Sequence, residues 1–272
     1  MAFGFHSRPS HVAQNIIVGL DFDGTIAYGQ HLRIWYAKNF YNTNLTLQQT
    51  THKGWPKELG EEKYLRMALA VENEYMMNHI LAPGCREVLT QLHSQGFKFA
   101  VVTARILTEE LIKAKIKTID IKRKAAKYNE GVAAVNFITH HKLPVDYIHF
   151  TNQNPKEWLC SKLHARAFID DGIKYLVSLR ETFVKPFFIL QPWNIEEARQ
   201  IPASGVTPVK NWIEFGRWLL YIKQVHEAIC YFNKWENAYF NLPKIAAFWK
   251  SYPDKCNAHL QEYKKEKAGA FV

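Results

Sequence analysis

The sequence predicts an α/β fold built on a doubly wound parallel sheet. Three observations carry this. Short apolar runs recur along the chain, each stopping abruptly at polar or charged residues. Between them lie stretches long enough for a helix, so strand and helix alternate, as a parallel sheet with helical crossovers requires. The first run, Ile16-Ile-Val-Gly-Leu20, is apolar throughout, as befits a strand covered on both faces.

That first strand ends in Asp21-Phe-Asp23-Gly24-Thr25. Alternate residues of an extended chain share a face, so the spacing of Asp21 and Asp23 aims two carboxylates the same way. Ligands of open α/β sheets bind beyond the carboxyl ends of the strands. Two acids there need a compensating positive charge, such as a metal. By itself Asp-Gly signals only a turn.

A segment from Tyr28 to His79 follows, rich in Trp, Tyr, Asn and Thr. It has helix-compatible patterns over His31 to Phe40 and Glu61 to Met77, and it exceeds ordinary connections in length. Leu81-Ala-Pro83-Gly84 leads back to the sheet. A helix over Cys85 to Ser94, stopped near Gly96, precedes the strand Phe97 to Val102 and its end Thr103-Ala104-Arg105. Another helix is expected over Ala125 to His141, then a strand over Tyr147 to Phe150. The loop Asn154-Pro155-Lys156 opens a further helix that would carry Lys162. The strand Ala165 to Ile169 ends at Asp170-Asp171-Gly172. Val184 to Leu190 reads as the last strand, with Gln191-Pro-Trp-Asn194 as a loop at its end.

Taken in order, these strand ends resemble the four motifs of the haloacid dehalogenase-like (HAD) phosphatase superfamily. Asp21 and Asp23 match the first motif, Thr103 the second, Lys156 the third, and Asp170 with Asp171 the fourth. The resemblance covers about the first 215 residues and implies a Rossmann-like core over residues 1–27 and 81–210. It further implies a small helical cap over 28–80, with 211–272 as an added C-terminal helical segment.

The chemistry implied is hydrolysis of a phosphate monoester. A carboxylate nucleophile splits the reaction into two easier steps through an aspartyl-phosphate. The resemblance assigns the attack to Asp21, while Asp23 would protonate the leaving oxygen and later deprotonate water. Thr103 could donate to a phosphoryl oxygen and Lys156 could balance its charge. Ala104 and Arg105 would adjoin the substrate, and capping of the local structure is an equal reading for Arg105. Lys162 is the rival of Lys156, with a solvated helix lysine as its plainer reading. Hard oxygen ligands beside phosphate favour Mg²⁺. In the family the first Asp side chain, the second Asp carbonyl and an acid of the last motif bind it. Here those are Asp21, Asp23 and Asp170, with Asp171 behind Asp170 or reached through water.

The helical insertion, the Pro83-Gly84 re-entry and the Trp-containing end after the last strand look most like the 5′(3′)-deoxyribonucleotidase branch. That implies a phosphorylated small molecule as partner, specifically a nucleoside monophosphate. Phe22, Trp35, Tyr36 and Tyr64 are aromatic candidates for stacking on a base, with core or cap packing as the alternative for each. Other readings are a phosphatase of nucleic-acid ends or of sugar phosphates, and a non-catalytic binding protein of the same fold.

The formal charge of +10 over 272 residues suits an anionic partner. Much of the excess lies in Lys113 to Lys127 and in the tail residues Lys264, Lys265 and Lys267. Nucleic-acid contact is the less favoured reading of the first, and a solvated face the favoured reading of the tail. Beyond Lys210, Trp212, Phe215, Trp218, Leu219, Ile222, Val225, Ile229, Phe232, Trp235 and Phe240 recur at near-helical spacing. This stripe is expected to pack on the core or in a homodimer, and stacking on single strands is the alternative. The four scattered cysteines read as free buried thiols in a reducing compartment. No apolar run is long enough for a membrane span, and the first residues lack a secretory pattern, so a cytoplasmic enzyme is expected.

Overall fold

The computed structural model describes residues 16–51, 59–105, 130–151 and 155–234. Its centre is a six-stranded parallel sheet of order β5-β4-β1-β6-β7-β8. The strands are β1 (Ile16–Leu20), β4 (Phe97–Thr103), β5 (Tyr147–Phe150), β6 (Ala167–Asp170), β7 (Lys185–Ile189) and β8 (Thr207–Val209). The expected α/β doubly wound sheet is therefore present. Leu20 of β1 pairs with Val101 on one side and Ile169 on the other. The chain runs outward from β1 to β4 and β5, then returns to the opposite side at β6. This reversal opens a crevice beyond the ends of β4, β1 and β6.

Helices cover both faces. On one face α3 (Cys85–Ser94), α4 (Glu130–His140) and α7 (Trp212–Lys234) bring Leu89, Phe137, Trp212 and Phe215 against Leu20, Phe99 and Phe187. On the other, α5 (Lys156–Lys162) and α6 (Ile173–Val177) bring Cys160, Ile173 and Leu176 against Phe168 and Phe188. Burial of each such side chain contributes roughly 1.5–3 kcal/mol, and this outward-facing apolar surface is why both helical layers form.

The insertion begins and ends in a short antiparallel pair, β2 (Ala27–Tyr28) with β3 (Ile80–Leu81). Between them α1 (Gln30–Tyr41) and α2 (Glu61–Asn73) enclose their own apolar cluster of Leu32, Ala37, Leu45, Leu59, Tyr64, Met67 and Val71. A two-residue strand carries too little periodicity to be legible in sequence.

One element differs from expectation. Val184 to Leu190 is not the final strand, because β8 pairs with β7 and places Pro208 opposite Phe188. A three-residue strand containing proline hides from propensity, yet an edge position tolerates it. The first part of the aromatic stripe packs on the core, one of the two expected arrangements. Trp212, Phe215 and Leu219 are buried in the main core, with Trp218 and Ile222 packed against it. Cys85 and Cys160 are buried free thiols, as expected. The basic stretch Lys113 to Lys127, the first part of the expected Ala125 helix, Trp235, Phe240, Cys256 and the tail lysines lie outside the described residues. No helix among the described residues is long and apolar enough to cross a membrane.

Candidate active site

β1 delivers Asp21 to the carboxyl edge of the sheet, where its N–H donates to the Ile169 carbonyl of β6 at 2.9 Å. The chain then folds tightly, with Ile26 N–H donating to Phe22 O at 2.9 Å and Gly24 N–H to Ala27 O at 2.9 Å. Gly24 makes this turn with φ +79°, and a Cβ there would stand 2.0 Å from Asp171 Oδ2. Both the backbone conformation and the approach of the acid demand glycine. Thr25, within the turn, reaches back and donates its hydroxyl to Asp21 Oδ2 at 3.1 Å.

Lys156 opens α5 and is almost wholly buried. Its Nζ donates to Asp21 Oδ1 at 2.5 Å and to Asp170 Oδ2 at 2.7 Å, and it lies over the Tyr175 ring at 4.4 Å. Lys162 sits nearly two helical turns further on, exposed, over Trp158. Asp170 ends β6, and its Oδ1 accepts the Gly172 N–H at 2.7 Å. Asp171 Oδ2 accepts Trp193 Nε1–H at 2.9 Å. Asn194 donates to the Asp171 carbonyl at 2.9 Å and to Ile189 O at 3.0 Å, which ties the loop after β7 to the acid pair.

Asp21, Asp170 and Asp171 each present a carboxylate oxygen, all within 4.8 Å of one another. One ammonium group faces three acids, and the titration behaviour follows. Burial first, then the neighbouring Asp170, pushes Asp21 up to about 7. Burial also raises Asp170 against the pull of Lys156, and burial with Asp21 and Asp170 raises Asp171 well above the usual carboxylate range. Lys156 itself is held charged: its desolvation is outweighed by Asp170 and Asp21. The cluster is short of positive charge, and its donors are all hard oxygens. Both properties fit a divalent cation such as Mg²⁺.

Asp23 stands apart from this cluster. Its Oδ2 accepts Arg105 Nε–H at 2.8 Å and its Oδ1 accepts Arg105 Nη2–H at 2.7 Å. Burial presses the Asp23 carboxyl up, but Arg105 outweighs it and the net direction is down. Thr103 is buried at the end of β4, where its hydroxyl oxygen accepts the Arg105 N–H at 3.3 Å. The Arg105 guanidinium lines the cavity and points at Asp23 and at the Glu72 carbonyl, 2.8 Å from Nη1.

Asp21, Asp23, Thr103, Ala104, Arg105, Lys156, Asp170 and Asp171 line one cavity of about 380 Å³. Its opposite wall comes from the insertion. Leu65, Ala68, Leu69 and Glu72 recur at helical spacing on α2, joined by Gln30, Arg33 and His79. The four aromatics proposed from sequence do not line it. Phe22 and Tyr64 are buried in the two cores, while Trp35 and Tyr36 join an aromatic group with Phe40 and Tyr75. Among the described residues, Tyr175 and Trp193 bring a phenol and an indole ring to the cavity. Roles for Thr25, Trp193, Asn194, Gln30 and His79 were not foreseen. Thr25 and Asn194 sat within the recognised strand ends, but a side chain's partner leaves no periodic trace.

No protein-family model matches the sequence, and no curated protein matches it. Among solved structures the chain is similar to hydrolases of the HAD superfamily. One is a haloacid dehalogenase-like hydrolase from Streptococcus pneumoniae, 11% identical, with a TM-score of 0.49 over 75% of this chain and 98% of that one. Another is a HAD-superfamily hydrolase from Ehrlichia chaffeensis, 16% identical, with a TM-score of 0.39 over 75% and 96%. A third is D,D-heptose 1,7-bisphosphate phosphatase from Burkholderia thailandensis, 12% identical, with a TM-score of 0.40 over 76% and 99%.

Proposed function

We propose that the protein is a phosphomonoester hydrolase working through an aspartyl-phosphate, and that its substrate is a nucleoside monophosphate. The observation that carries the reaction is the meeting of Asp21, Lys156, Asp170 and Asp171 beside Asp23, at the crevice where the sheet reverses. Asp21 and Asp170, with Asp171 and the Asp23 carbonyl, would hold Mg²⁺, which supplies neutralisation of phosphoryl charge when bound.

The residues of the chain divide the remaining work. Asp21 attacks phosphorus, and the bond to the leaving alcohol breaks as Asp23, which first takes up a proton against the pull of Arg105, delivers that proton to the departing oxygen. Water then attacks the aspartyl-phosphate, Asp23 takes its proton, and inorganic phosphate leaves as the Asp21 carboxylate is regained. Thr25 and Lys156 hold the two carboxylate oxygens of Asp21 and so fix its plane. Thr103 and Lys156 face the phosphoryl oxygens. The insertion acts as a cap that closes the cavity and excludes water.

The cavity wall supports the nucleotide reading. Leu65, Ala68 and Leu69 offer an apolar surface, and Tyr175 and Trp193 offer rings. Gln30 Oε1 and His79 Nδ1 are buried acceptors with no partner among the described residues, so an alcohol bearing hydroxyl or amino donors would satisfy them. A flat apolar face with donors at its edge describes a nucleoside.

The test is a hydrolysis screen with Mg²⁺ over nucleoside monophosphates, sugar phosphates and phosphorylated oligonucleotides, with Asp21→Asn alongside. Release of phosphate from nucleotides by wild type, abolished in Asp21→Asn, is expected. Turnover retained in that variant would sink the mechanism, and preference for sugar phosphates would sink the substrate.

A further inference from the structure

We propose that Arg105 is the positioning residue for the proton donor Asp23, and that it ties the aim of that acid to the seating of the helical insertion. This rests on the reading of Asp23 as the group that protonates the leaving alcohol.

The geometry is that of a fork held from behind. Nε and Nη2 of Arg105 donate to the two carboxylate oxygens of Asp23, a paired contact that fixes both the position and the plane of the acid. The Arg105 side chain is 2% exposed, while Asp23 keeps 38%. The guanidinium thus stands on the protein side and leaves the outer lone pairs of Asp23 to the cavity. Its Cζ lies over the Phe22 ring, 5.0 Å from the centroid, which adds a cation–π contact to the hold on the fork.

The same guanidinium is anchored in the insertion. Nη1 donates to the Glu72 carbonyl at 2.8 Å, and Nη2 meets Met76 Sδ at 3.4 Å. Glu72 in turn accepts from Arg33 Nη2 at 2.5 Å, and Arg33 Nη1 donates to Thr50 O at 2.5 Å. A continuous run of charge-assisted bonds therefore passes from α1 and α2 to the acid at the end of β1. If the insertion lifts, Arg105 loses Glu72 and Met76, and Asp23 loses its fixed aim. A lysine at this position would keep the charge but could not make the paired contact.

Two esters separate this role from a phosphate contact or a purely structural one. p-Nitrophenyl phosphate has an acidic leaving group that needs little protonation, whereas the alcohol of β-glycerophosphate needs a proton donor. The quantity read is kcat/KM, which reports steps only through departure of the alcohol. Arg105→Lys is expected to lower kcat/KM for β-glycerophosphate by about 10- to 100-fold, part of the 10²- to 10⁴-fold that a placed acid supplies. For p-nitrophenyl phosphate the loss should stay below about threefold on the same grounds. In an Asp23→Asn background, Arg105→Lys should add nothing, since the two residues act as one unit. Met76→Leu, which keeps the packing and removes the sulfur, should show the same selectivity in milder form. Equal losses on both esters, or additive losses with Asp23→Asn, would overturn the proposal while leaving the hydrolase reading intact. Wild-type protein that releases phosphate from neither ester and from no nucleoside monophosphate would remove both.

Discussion

His79 gives the protein an acid-sensitive joint between insertion and core. The ring is 7% exposed, and its Nε2 lies 3.0 Å from the Val71 carbonyl, so Nε2 carries the proton and Nδ1 is an acceptor. It packs on Gly29, whose added Cβ would stand 2.4 Å from the ring. The groups that act on it are Asp23, Arg105 and Arg33. Burial is the largest influence and outweighs the attraction of Asp23, so the imidazole is pulled from 6.5 down to about 4. In the unfolded chain His79 binds a proton as pH falls through 6.5, whereas in the folded chain it does not until about 4. The unfolded state therefore holds more protons across that window, and stability is lost as pH falls through it. At about 1.4 kcal/mol per pH unit, the loss is about 2 kcal/mol by pH 5 and about 3 kcal/mol by pH 4. His79→Gln keeps a donor for Val71 without a group that titrates here. Urea unfolding of both proteins at pH 7.5, 6 and 5 is the assay, because differences between them cancel the other acids. The gap in unfolding free energy should shift by about 2 kcal/mol in favour of the variant on going to pH 5. Parallel stability curves would refute the buried neutral histidine.

Two further predictions concern the turn after β1. Thr25→Val keeps the shape of the side chain but removes the hydroxyl that holds Asp21 Oδ2. The loss of a charge-assisted hydrogen bond, about 1.5–3 kcal/mol, should cost roughly ten- to a hundredfold in kcat/KM and lower the thermal midpoint by a few degrees, read by phosphate release and calorimetry. Gly24→Ala adds a Cβ 2.0 Å from Asp171 at a positive φ, so it should lose activity and stability together. Gly205→Ala, also at positive φ but with nothing within 4 Å, is the control and should cost only about 1–2 kcal/mol in urea unfolding. Similar outcomes for the two glycines would remove the argument from close approach.

Much of this protein was legible because its decisive residues sit at strand ends. A buried parallel strand is a run of apolar residues, and the polar residue that stops it is visible without any knowledge of neighbours. β1, β4, β5 and β6 could be drawn in this way, and with them Asp21, Thr103, Lys156 and Asp170 on one edge of one sheet. Helix α3 was legible from its apolar spacing and its stop at Gly96. The two-residue pair β2–β3 and the proline-bearing β8 were not, because they exist by pairing and have no pattern of their own.

The sequence by itself determined the doubly wound sheet, the order of its strand ends and the acids they carry. Tertiary structure decided what those residues touch. Arg105 meets Asp23 across 82 residues, Lys156 meets Asp21 across 135, and Gln191 meets Tyr28 across 163. It also decided that Phe22 and Tyr64 lie in cores while Tyr175 and Trp193 reach the cavity. The reason is physical. Strand and helix follow from the local chain and the side of it that leaves water. A hydrogen bond or a cavity wall depends on where a distant element comes to rest, and that is set by the packing of the whole.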